Sequence, residues 1–308
     1  MTKGVLASAT GSVLFAVLFY YASLLHPLTG EEVFGWRMLF NAPCLTVLVL
    51  ASGQWPLVLN QLRRLRARPL LIPGVLFCAI LVAIQLWLFV WAPINGRALE
   101  ASLGFFLMPL SIVLIGRVVF GDRLTPWQTA AALLALAGVA NEVIRVGALS
   151  AVTMFIAVGY PTYYAVRRKL RTDDQGGVWI EMHLVLPVAA LIVLAGETGL
   201  GALGERPALI YMIPGLGLIS AVAITAHYLS SRLLPFGLFG LLIYLEPVLL
   251  VLVALLLGER IASDQWLTYI PIWVALVVLF AEGVYRVLPR LRRGRRGDRV
   301  RHILPDIG

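Results

Sequence analysis

Ten apolar stretches, each of about 20 residues, occupy nearly the whole chain. A helix that crosses a bilayer needs about that many mostly apolar residues, and its backbone polar groups must be bonded within the helix itself. Hydrophobic residues fill 60% of the 308 positions and charged residues only 13%, which leaves almost no sequence for a soluble domain. We therefore predict an all-α integral membrane protein with ten transmembrane helices, spans 1 to 10, at residues 4–25, 33–51, 70–92, 98–118, 125–144, 149–168, 178–196, 208–229, 236–257 and 265–286.

An internal repeat constrains the arrangement of these spans. Pro109 is followed by Gly121-Asp122-Arg123-Leu124, and Pro247 by Gly258-Glu259-Arg260-Ile261, 137 to 138 residues later. The second copy lies five predicted spans after the first, and an odd offset inverts the second half in the membrane. Many secondary transporters consist of inverted halves around a site near the membrane midplane. We predict two inverted five-helix repeats and a cytoplasmic arginine-rich tail, at 1–147, 148–287 and 288–308.

Other matches keep the same order along the two halves. Tyr20-Tyr21-Ala22 in span 1 matches Tyr163-Tyr164-Ala165 in span 6, and Arg37 in span 2 matches Glu181 in span 7. The glycine in each copy of the repeated motif is expected to end its span in the left-handed conformation. The motifs are therefore predicted to close helices and not to form the functional site.

The positive charges indicate how the spans are oriented. With a cytoplasmic N-terminus, the segments on the inner side hold 20 of the 25 lysine and arginine residues, which is the bias that the positive-inside rule describes. We therefore expect both termini in the cytoplasm. The arginines after span 10 are expected to contact anionic membrane lipid. Nucleic-acid binding is the alternative interpretation of this tail, and we predict no nucleic-acid partner.

Several motifs resemble the drug/metabolite transporter superfamily with its paired EamA domains. Leu245-Glu246-Pro247-Val248, followed by Leu257-Gly258-Glu259-Arg260, resembles the signature of the last two EamA helices. Three other motifs resemble the RarD-like subgroup: Leu99-Glu100-Ala101-Ser102-Leu103-Gly104, Tyr164-Ala165-Val166-Arg167-Arg168-Lys169, and Glu181 ahead of Leu186-Pro187-Val188-Ala189. The resemblance implies a ten-helix carrier of the bacterial inner membrane that moves small organic solutes, often outward, without ATP.

The sequence contains no signature of nucleotide chemistry. No Gly-x-x-x-x-Gly-Lys-Ser/Thr loop occurs, so no phosphate-binding loop is encoded. Residues 199–204 satisfy the dinucleotide-binding string Gly-x-Gly-x-x-Gly, but they are predicted to follow a membrane span and not to lie in a βαβ unit. Cys44 and Cys78 lie within spans, where a free thiol behaves as a small hydrophobic group. We expect no cofactor and no bound metal.

Ionisable side chains within spans are the strongest candidates for the site, because central placement costs about 2.5 to 3.5 kcal/mol even on the lenient scale. Glu246 is predicted to lie at the middle of span 9, next to the helix-bending Pro247. A desolvated carboxylate there could take up a proton in one facing state and release it in the other. The alternatives are an acid that pairs with a neighbouring helix and an acid in a wet cavity without coupling.

Arg37 and Glu100 are predicted to lie toward the external ends of spans 2 and 4 and to attract each other. Arg37 is either an anchor at the membrane interface or the binding partner of an anionic substrate group. Glu100 is either part of the same site or an acid that stabilises the start of its helix.

Seven other polar side chains are candidates for contacts with a zwitterionic substrate. Each could instead form a packing contact between helices, usually worth about 0.6 to 2 kcal/mol. The spacing within span 3 suggests a cavity wall that includes Gln85 and Trp91, and two side chains of span 7 could form a cytoplasmic gate. The seven are Gln85, Trp91, Tyr20, Tyr21, Asn41, His183 and His227, and the two gate residues are His183 and Glu181.

The leading function is secondary transport, with export of small polar amino-acid-derived metabolites such as amino acids, drugs or metallophore-like compounds. The driving force would be the proton gradient or the substrate gradient. An importer and a passive channel are alternatives, and an intramembrane enzyme is a remote one because the spans contain no His-Glu-x-x-His or Gly-x-Ser-x-Gly motif. The expected partners are a small-molecule substrate and membrane lipid, and a homodimer is compatible with the sequence.

Overall fold

The computed structural model describes residues 2–121, 125–146, 149–196, 198, 201–234, 242 and 245–301. All regular structure in these residues is helical, which confirms the all-α part of the predicted fold class. Asp122, Arg123 and Leu124 of the first repeated motif lie outside the described residues, as does most of the N-terminal half of span 9. The helices are α1 Thr2–Ser23, α2 Gly30–Ala51, α3 Trp55–Ala67, α4 Ile72–Ile94, α5 Ala98–Phe120, α6 Pro126–Val146, α7 Ala151–Leu170, α8 Gln175–Ala195, α9 Gly201–Glu205, α10 Leu209–Leu233, α11 Leu245–Leu256 and α12 Trp266–Arg301.

Eight stretches of helix in the described part of the chain are long and apolar enough to cross a membrane. They correspond to α1, α2, α4, α5, α6, α8, α10 and the first part of α12, and they match eight of the ten predicted spans. Helix α7 matches span 6 in position but is not among the eight. Helix α11 is apolar and contains 12 residues. The structure thus confirms a multi-pass helical protein.

Helix α3 was not predicted, because a search for long apolar stretches does not detect a short amphipathic helix. The sequence places an arginine-rich connection between spans 2 and 3, and the structure has 13 helical residues there, with proline in the first turn. Val58 and Gln61 are buried where α3 packs on α8, and Arg63 and Arg66 are exposed. This helix brings polar side chains to the end of α7.

The last helix is longer than predicted. Span 10 was expected to end at residue 286, whereas α12 continues to Arg301. Arginine, which is common in this stretch, has a high helix propensity and favours continuation of the helix beyond its apolar part, whereas Pro289, Gly294 and Gly297 oppose it. Much of the predicted tail at 288–308 is therefore a continuation of the last helix.

The helix contacts connect the two predicted halves repeatedly. Helix α1 packs on α10 and on α11, and helix α7 packs on α4 and on α5. Helix α2 also packs on α10, and helix α4 packs on α8. Three further contacts join α2 with α8, α5 with α11, and α6 with α12. The two halves therefore share one helix bundle.

The pair formed by α6 and α12 is held by similar polar contacts near its two ends. Thr125 donates to Glu282 at 2.7 Å, and Thr268 donates to Glu142 at 2.7 Å. Between these ends the helices approach closely, since a Cβ atom added to Gly138 would lie 2.7 Å from the Thr268 carbonyl oxygen. Small residues permit such close approach of helices in membranes.

The glycines of the repeated motifs adopt the predicted conformation. Gly121 has φ 71° and Gly258 has φ 91°, and Gly121 caps the end of α5 with a bond from its amide to the Arg117 carbonyl. A residue with a side chain would be strained at either position. The expectation that both glycines end their helices in the left-handed region is confirmed.

Candidate functional site

Arg37 is fully buried where α2 meets α4 and α10. Its Nε donates to Ser220 Oγ at 2.9 Å, its Nη1 donates to the Leu86 carbonyl at 3.2 Å, and its guanidinium carbon lies 5.4 Å from the centre of the Phe89 ring. Its Nη2 has no hydrogen-bond partner among the described residues. All the partners described for this cation are neutral, and its side chain is inside the bundle.

The predicted attraction between Arg37 and Glu100 is not found. Glu100 lies in the first turn of α5, where it accepts a hydrogen bond from the Ser150 hydroxyl and lies 3.6 Å from Arg97. Both residues are near helix starts, but α5 packs on α7 while α2 packs on α8 and α10. Hydropathy specifies the depth of a side chain in a span and not its lateral neighbours, so the predicted pairing was wrong.

Glu246 faces a histidine from another helix. Its Oε2 lies 3.8 Å from His227 Nε2, and the same nitrogen lies 3.5 Å from Ser12 Oγ. The carboxylate is therefore close enough for electrostatic interaction but beyond a direct hydrogen bond. Its side chain is 13% exposed, which agrees with the expectation that it turns toward the bundle interior. Three helices, α1, α10 and α11, supply this group.

Two tyrosines of α7 lie within electrostatic range of this group. Tyr160 interacts electrostatically with both Arg37 and Glu246, and Tyr164 interacts with Glu246. The two tyrosine rings stack with centroids 6.1 Å apart, as expected for residues one helical turn apart. Tyr164 keeps 47% of its surface accessible. We call Arg37, Tyr160, Tyr164, His227 and Glu246 the central site.

Phenylalanine rings connect the members of the central site. Phe15 lies 5.1 Å from the His227 ring and 5.7 Å from Phe89, the residue beneath Arg37. Phe89 is also 5.7 Å from Phe105, which is 5.8 Å from Tyr160. These aromatic contacts hold the polar groups on four helices at fixed separations.

Buried polar groups with unused hydrogen-bonding capacity accompany the central site. Asn41 lies one turn from Arg37 on the same face of α2 and is fully buried, and neither its amide oxygen nor its nitrogen has a partner in the described part of the chain. Gln85 donates to the Phe155 carbonyl at 2.7 Å, while its Oε1 is unbonded. Such groups are rare in folded proteins unless a water or ligand satisfies them.

Three of the predicted residues make contacts elsewhere. Trp91 lies under Arg97 at 5.8 Å and beside Trp87 at 5.6 Å, and the cavity wall shared with Gln85 stays a prediction. Tyr20 is 40% exposed. The Tyr21 hydroxyl donates to the Met212 carbonyl at 3.1 Å, which joins α1 to α10. The Tyr21 contact is one of interhelical packing.

Glu181 belongs to a buried ion-pair cluster near the end of α7. Tyr163 donates to its Oε2 at 2.7 Å, and Arg167 Nε lies 3.3 Å from its Oε1. His183, its predicted partner in a gate, bonds instead to Thr46 Oγ1 at 3.2 Å and to the Trp179 carbonyl at 2.7 Å. Because Glu181 and His183 are two positions apart on a helix, their side chains point in different directions.

Two arginines hold the carbonyl ends of α7 and α1, and we call them the arginine clamps. Arg64 of α3 donates to the Leu170 and Arg171 carbonyls, at 2.6 and 2.8 Å, where α7 ends. Arg206, just after α9, donates to the Leu24 and His26 carbonyls, at 2.9 and 2.6 Å, just beyond α1. Each clamp ties the connection between two spans to the end of a helix in the other half.

Glu259 of the second repeated motif has a structural role. Its two carboxylate oxygens accept hydrogen bonds from the backbone amides of Ala98 and Leu99, at 2.6 and 2.8 Å. These amides begin α5, and a carboxylate there satisfies unpaired donors and interacts favourably with the helix dipole. The motif thus fastens the end of α11 to the start of α5.

Sequence reasoning missed Tyr160, Ser12 and Ser220 and treated Tyr164 as a packing residue. Tyrosine and serine are common in membrane helices, so their identity gives little signal. The spacing of Tyr160 and Tyr164, four residues apart on one helix, was available, but their proximity to Arg37 and Glu246 depends on how the helices pack.

Comparison with known proteins assigns the chain to a family. Residues 2–141 match the EamA-like transporter family. Chloramphenicol-sensitive protein RarD of Pseudomonas aeruginosa is 44% identical over 295 residues, which cover 95% of this chain and 98% of that protein. An uncharacterized transporter of Pasteurella multocida is 37% identical over 293 residues, covering 95% of this chain and all of that protein. Protein RarD of Escherichia coli is 28% identical over 286 residues, covering 92% and 95%.

A solved structure described only as the crystal structure of a protein has the same overall fold. It superposes with a TM-score of 0.57 at 20% sequence identity and covers 91% of this chain and 96% of its own. At this identity the likeness concerns the fold alone.

Proposed function

The chain belongs to the RarD-like subgroup of the EamA-like transporter family, in the drug/metabolite transporter superfamily, and we propose that it exports small polar amino-acid-derived metabolites across the bacterial inner membrane. The observation that carries this proposal is the fully buried Arg37 guanidinium, which has neutral partners and one unbonded nitrogen among the described residues. A buried charge is costly unless an opposite charge compensates it. A substrate carboxylate would supply that charge.

The helix contacts support the proposed architecture of ten spans in two inverted repeats. If α1, α2, α4, α5 and α6 correspond to α7, α8, α10, α11 and α12, the contact of α1 with α10 is the counterpart of that of α7 with α4. In the same way, the contact of α5 with α7 corresponds to that of α11 with α1, and the contact of α2 with α10 corresponds to that of α8 with α4. The remaining contacts, α2–α8, α5–α11 and α6–α12, each join two helices that this correspondence makes equivalent. A pseudo-twofold axis in the membrane plane accounts for this pairing.

The arginine clamps suit alternating access. In the proposed orientation, with both termini in the cytoplasm, Arg64 lies at the cytoplasmic surface and Arg206 at the external surface. Each clamp closes the end of one repeat against the other. A carrier of this kind opens on one side at a time, so we expect one clamp to loosen while the other stays formed.

Glu246 and His227 are the proposed coupling groups. A carboxylate and an imidazole 3.8 Å apart can share or exchange a proton. When the carrier changes between its inward-facing and outward-facing states, the exposure of these two groups to water would change. Tyr160 and Tyr164 would form an aromatic wall between this pair and the anion site at Arg37. A zwitterion could then place its carboxylate at Arg37 and its ammonium group toward Glu246. Import of the same solutes, or passive conduction, is the competing interpretation, and we expect no enzymatic activity.

A deletion strain tests the proposal and names the substrate. Intracellular and external metabolites of deletion and complemented strains are compared, and the proposal predicts that one polar carboxylate-bearing compound accumulates inside the deletion strain. That compound is then assayed in proteoliposomes with and without an imposed proton gradient. We expect saturable transport that Glu246→Gln abolishes and Glu100→Gln preserves, because Glu100 lies outside the central site. Non-saturating flux would favour a channel, and full activity of Glu246→Gln would remove the coupling role.

A further inference from the structure

A groove lies between α3, α4 and α8, at the first turns of α4. It encloses about 270 Å³. Seven of its eight lining residues are apolar, and the eighth is Arg66, an exposed residue near the end of α3. The apolar walls are Leu62 and Leu65 of α3, Ile72, Val75 and Leu76 of α4, and Ile180 and Leu184 of α8.

The surroundings of the groove indicate what fills it. Two of its three walls, α4 and α8, are helices that qualify as membrane spans, and Ile72, Leu76 and Leu184 keep 40% or more of their surface accessible. In a membrane, this surface faces hydrocarbon and not water. A groove of this composition therefore accepts an acyl chain.

The charge at the end of the groove selects the headgroup. Arg63, Arg64 and Arg66 lie in α3, and Arg68 follows it directly. Arg64 already binds the end of α7, whereas Arg66 belongs to the groove lining. A guanidinium binds phosphate oxygens in a bidentate manner, and a cluster of arginines near the membrane surface favours anionic lipid over zwitterionic lipid.

We propose that this groove is a binding site for one anionic phospholipid, with an acyl chain along the apolar wall and the phosphate at Arg66. The juxtaposition that carries the proposal is an apolar groove between two membrane spans that ends at an exposed arginine. The site would fix α3 at the membrane surface and so support the Arg64 clamp on the same helix. It requires that the chain lies in a membrane, but it is independent of what the central site transports.

Native mass spectrometry of the purified protein with equal amounts of phosphatidylglycerol and phosphatidylcholine tests the site. We expect the wild-type protein to retain phosphatidylglycerol about five-fold more than phosphatidylcholine, as one favourable arginine contact implies. Arg66→Gln should bring this ratio close to one. Arg63→Gln is the matched control, since it removes an exposed arginine from the same helix outside the groove lining and should leave most of the preference intact.

A second variant tests the groove itself. Leu184→Trp fills the apolar wall with a side chain that membrane-facing positions tolerate, and it should reduce retention of both lipids. Each variant is used only as a monodisperse preparation that unfolds at the wild-type temperature. Equal loss of phosphatidylglycerol in Arg66→Gln and Arg63→Gln would indicate diffuse surface charge and overturn the proposal, as would unchanged retention in Leu184→Trp.

Discussion

At the scale of single residues, Arg37 and Arg167 present two solutions to burying a cation. Arg167 lies 3.3 Å from Glu181 and also donates to the Tyr163 hydroxyl and to backbone carbonyls. Arg37 has Ser220, a carbonyl and an aromatic ring as its described partners. A protein that only needed stability would gain little from an uncompensated buried charge. The contrast identifies Arg37 as the side chain with the clearest capacity for an anionic ligand.

This contrast predicts opposite stability changes for two arginine substitutions. Arg37→Met should leave the unfolding temperature unchanged or raise it, since a buried charge without an opposite charge is costly and an apolar side chain of similar size removes that cost. The same variant should lose transport at least about ten-fold, as expected when a charge-assisted hydrogen bond to substrate is removed. Arg167→Met should instead destabilise the protein by about 3 to 5 kcal/mol, because Glu181 is left buried without its partner.

Thermal unfolding in detergent and transport in proteoliposomes measure the two effects. An Arg37→Met protein that is less stable than wild type and transports normally would show that Arg37 supports the fold and does not bind substrate. Ser220→Ala is a useful further variant, because it removes one neutral partner of Arg37 and keeps the positive charge available for substrate.

The candidate site was partly accessible from the sequence. Glu246 and Arg37 stand out because ionisable residues are rare in apolar spans, and the structure turns both inward. The pairing of Arg37 with Glu100 was wrong, because residues at the same depth need not be neighbours. Tyr160 and Ser220 became candidates only when helix packing placed them beside Arg37, since neither residue type is unusual in a membrane span.

At the scale of helices, the cap that Glu259 provides for α5 should be measurable. Glu259 accepts hydrogen bonds from the backbone amides of Ala98 and Leu99, which have no partner within the helix because they lie in its first turn. We expect Glu259→Ala to lower the unfolding free energy by about 1 to 2 kcal/mol, the usual cost of losing a cap, and Glu259→Gln to lower it by less. Thermal unfolding in detergent provides the measurement.

Asp264→Asn is the control for this prediction. Asp264 is at the same end of the bundle and pairs with Arg145 at 2.8 Å, but its side chain is 56% exposed. Exposed ion pairs contribute little, so the control should unfold close to the wild-type temperature. Equal effects of Glu259→Ala and Asp264→Asn would contradict a specific capping role.

The helices themselves were largely predictable because the bilayer leaves the backbone few alternatives. The start of α5 and the left-handed ends at Gly121 and Gly258 agree with the sequence. Helix α3 and the extension of α12 were missed for a common reason. Outside the apolar spans, a helix depends on amphipathic pattern and helix propensity, and a search for long apolar stretches detects neither.

At the scale of the whole molecule, the two arginine clamps should bias the carrier in opposite directions. Arg206→Gln should favour the outward-open state and Arg64→Gln the inward-open state, each by about five-fold, because a partly exposed charge-assisted contact is worth about 1 kcal/mol. A cysteine introduced by Tyr164→Cys, in a background with Cys44→Ser and Cys78→Ala, reports whether the carrier is open to the outside or to the inside. Its labelling by an impermeant thiol reagent from outside should rise in Arg206→Gln and fall in Arg64→Gln.

Arg63→Gln serves as the control, since Arg63 is an exposed residue of α3 close to the Arg64 clamp. It should leave labelling unchanged. Labelling that changes in the same direction in both clamp variants would contradict the proposed opposition of the two ends and would show that the clamps only hold the bundle together.

The hydrogen bond between Arg37 and Ser220 has a consequence for biogenesis. The two residues are 183 positions apart, and at about 5 to 20 residues per second the ribosome needs roughly 10 to 40 s to make the second after the first. During this interval α2 enters the membrane with an arginine whose serine partner has not been synthesised. Arg37 is about 10 Å from the start of its helix, close enough for its side chain to reach the lipid headgroups. We therefore expect the arginine to remain at the membrane surface until α10 arrives and to move inward only when the second half of the protein assembles around it.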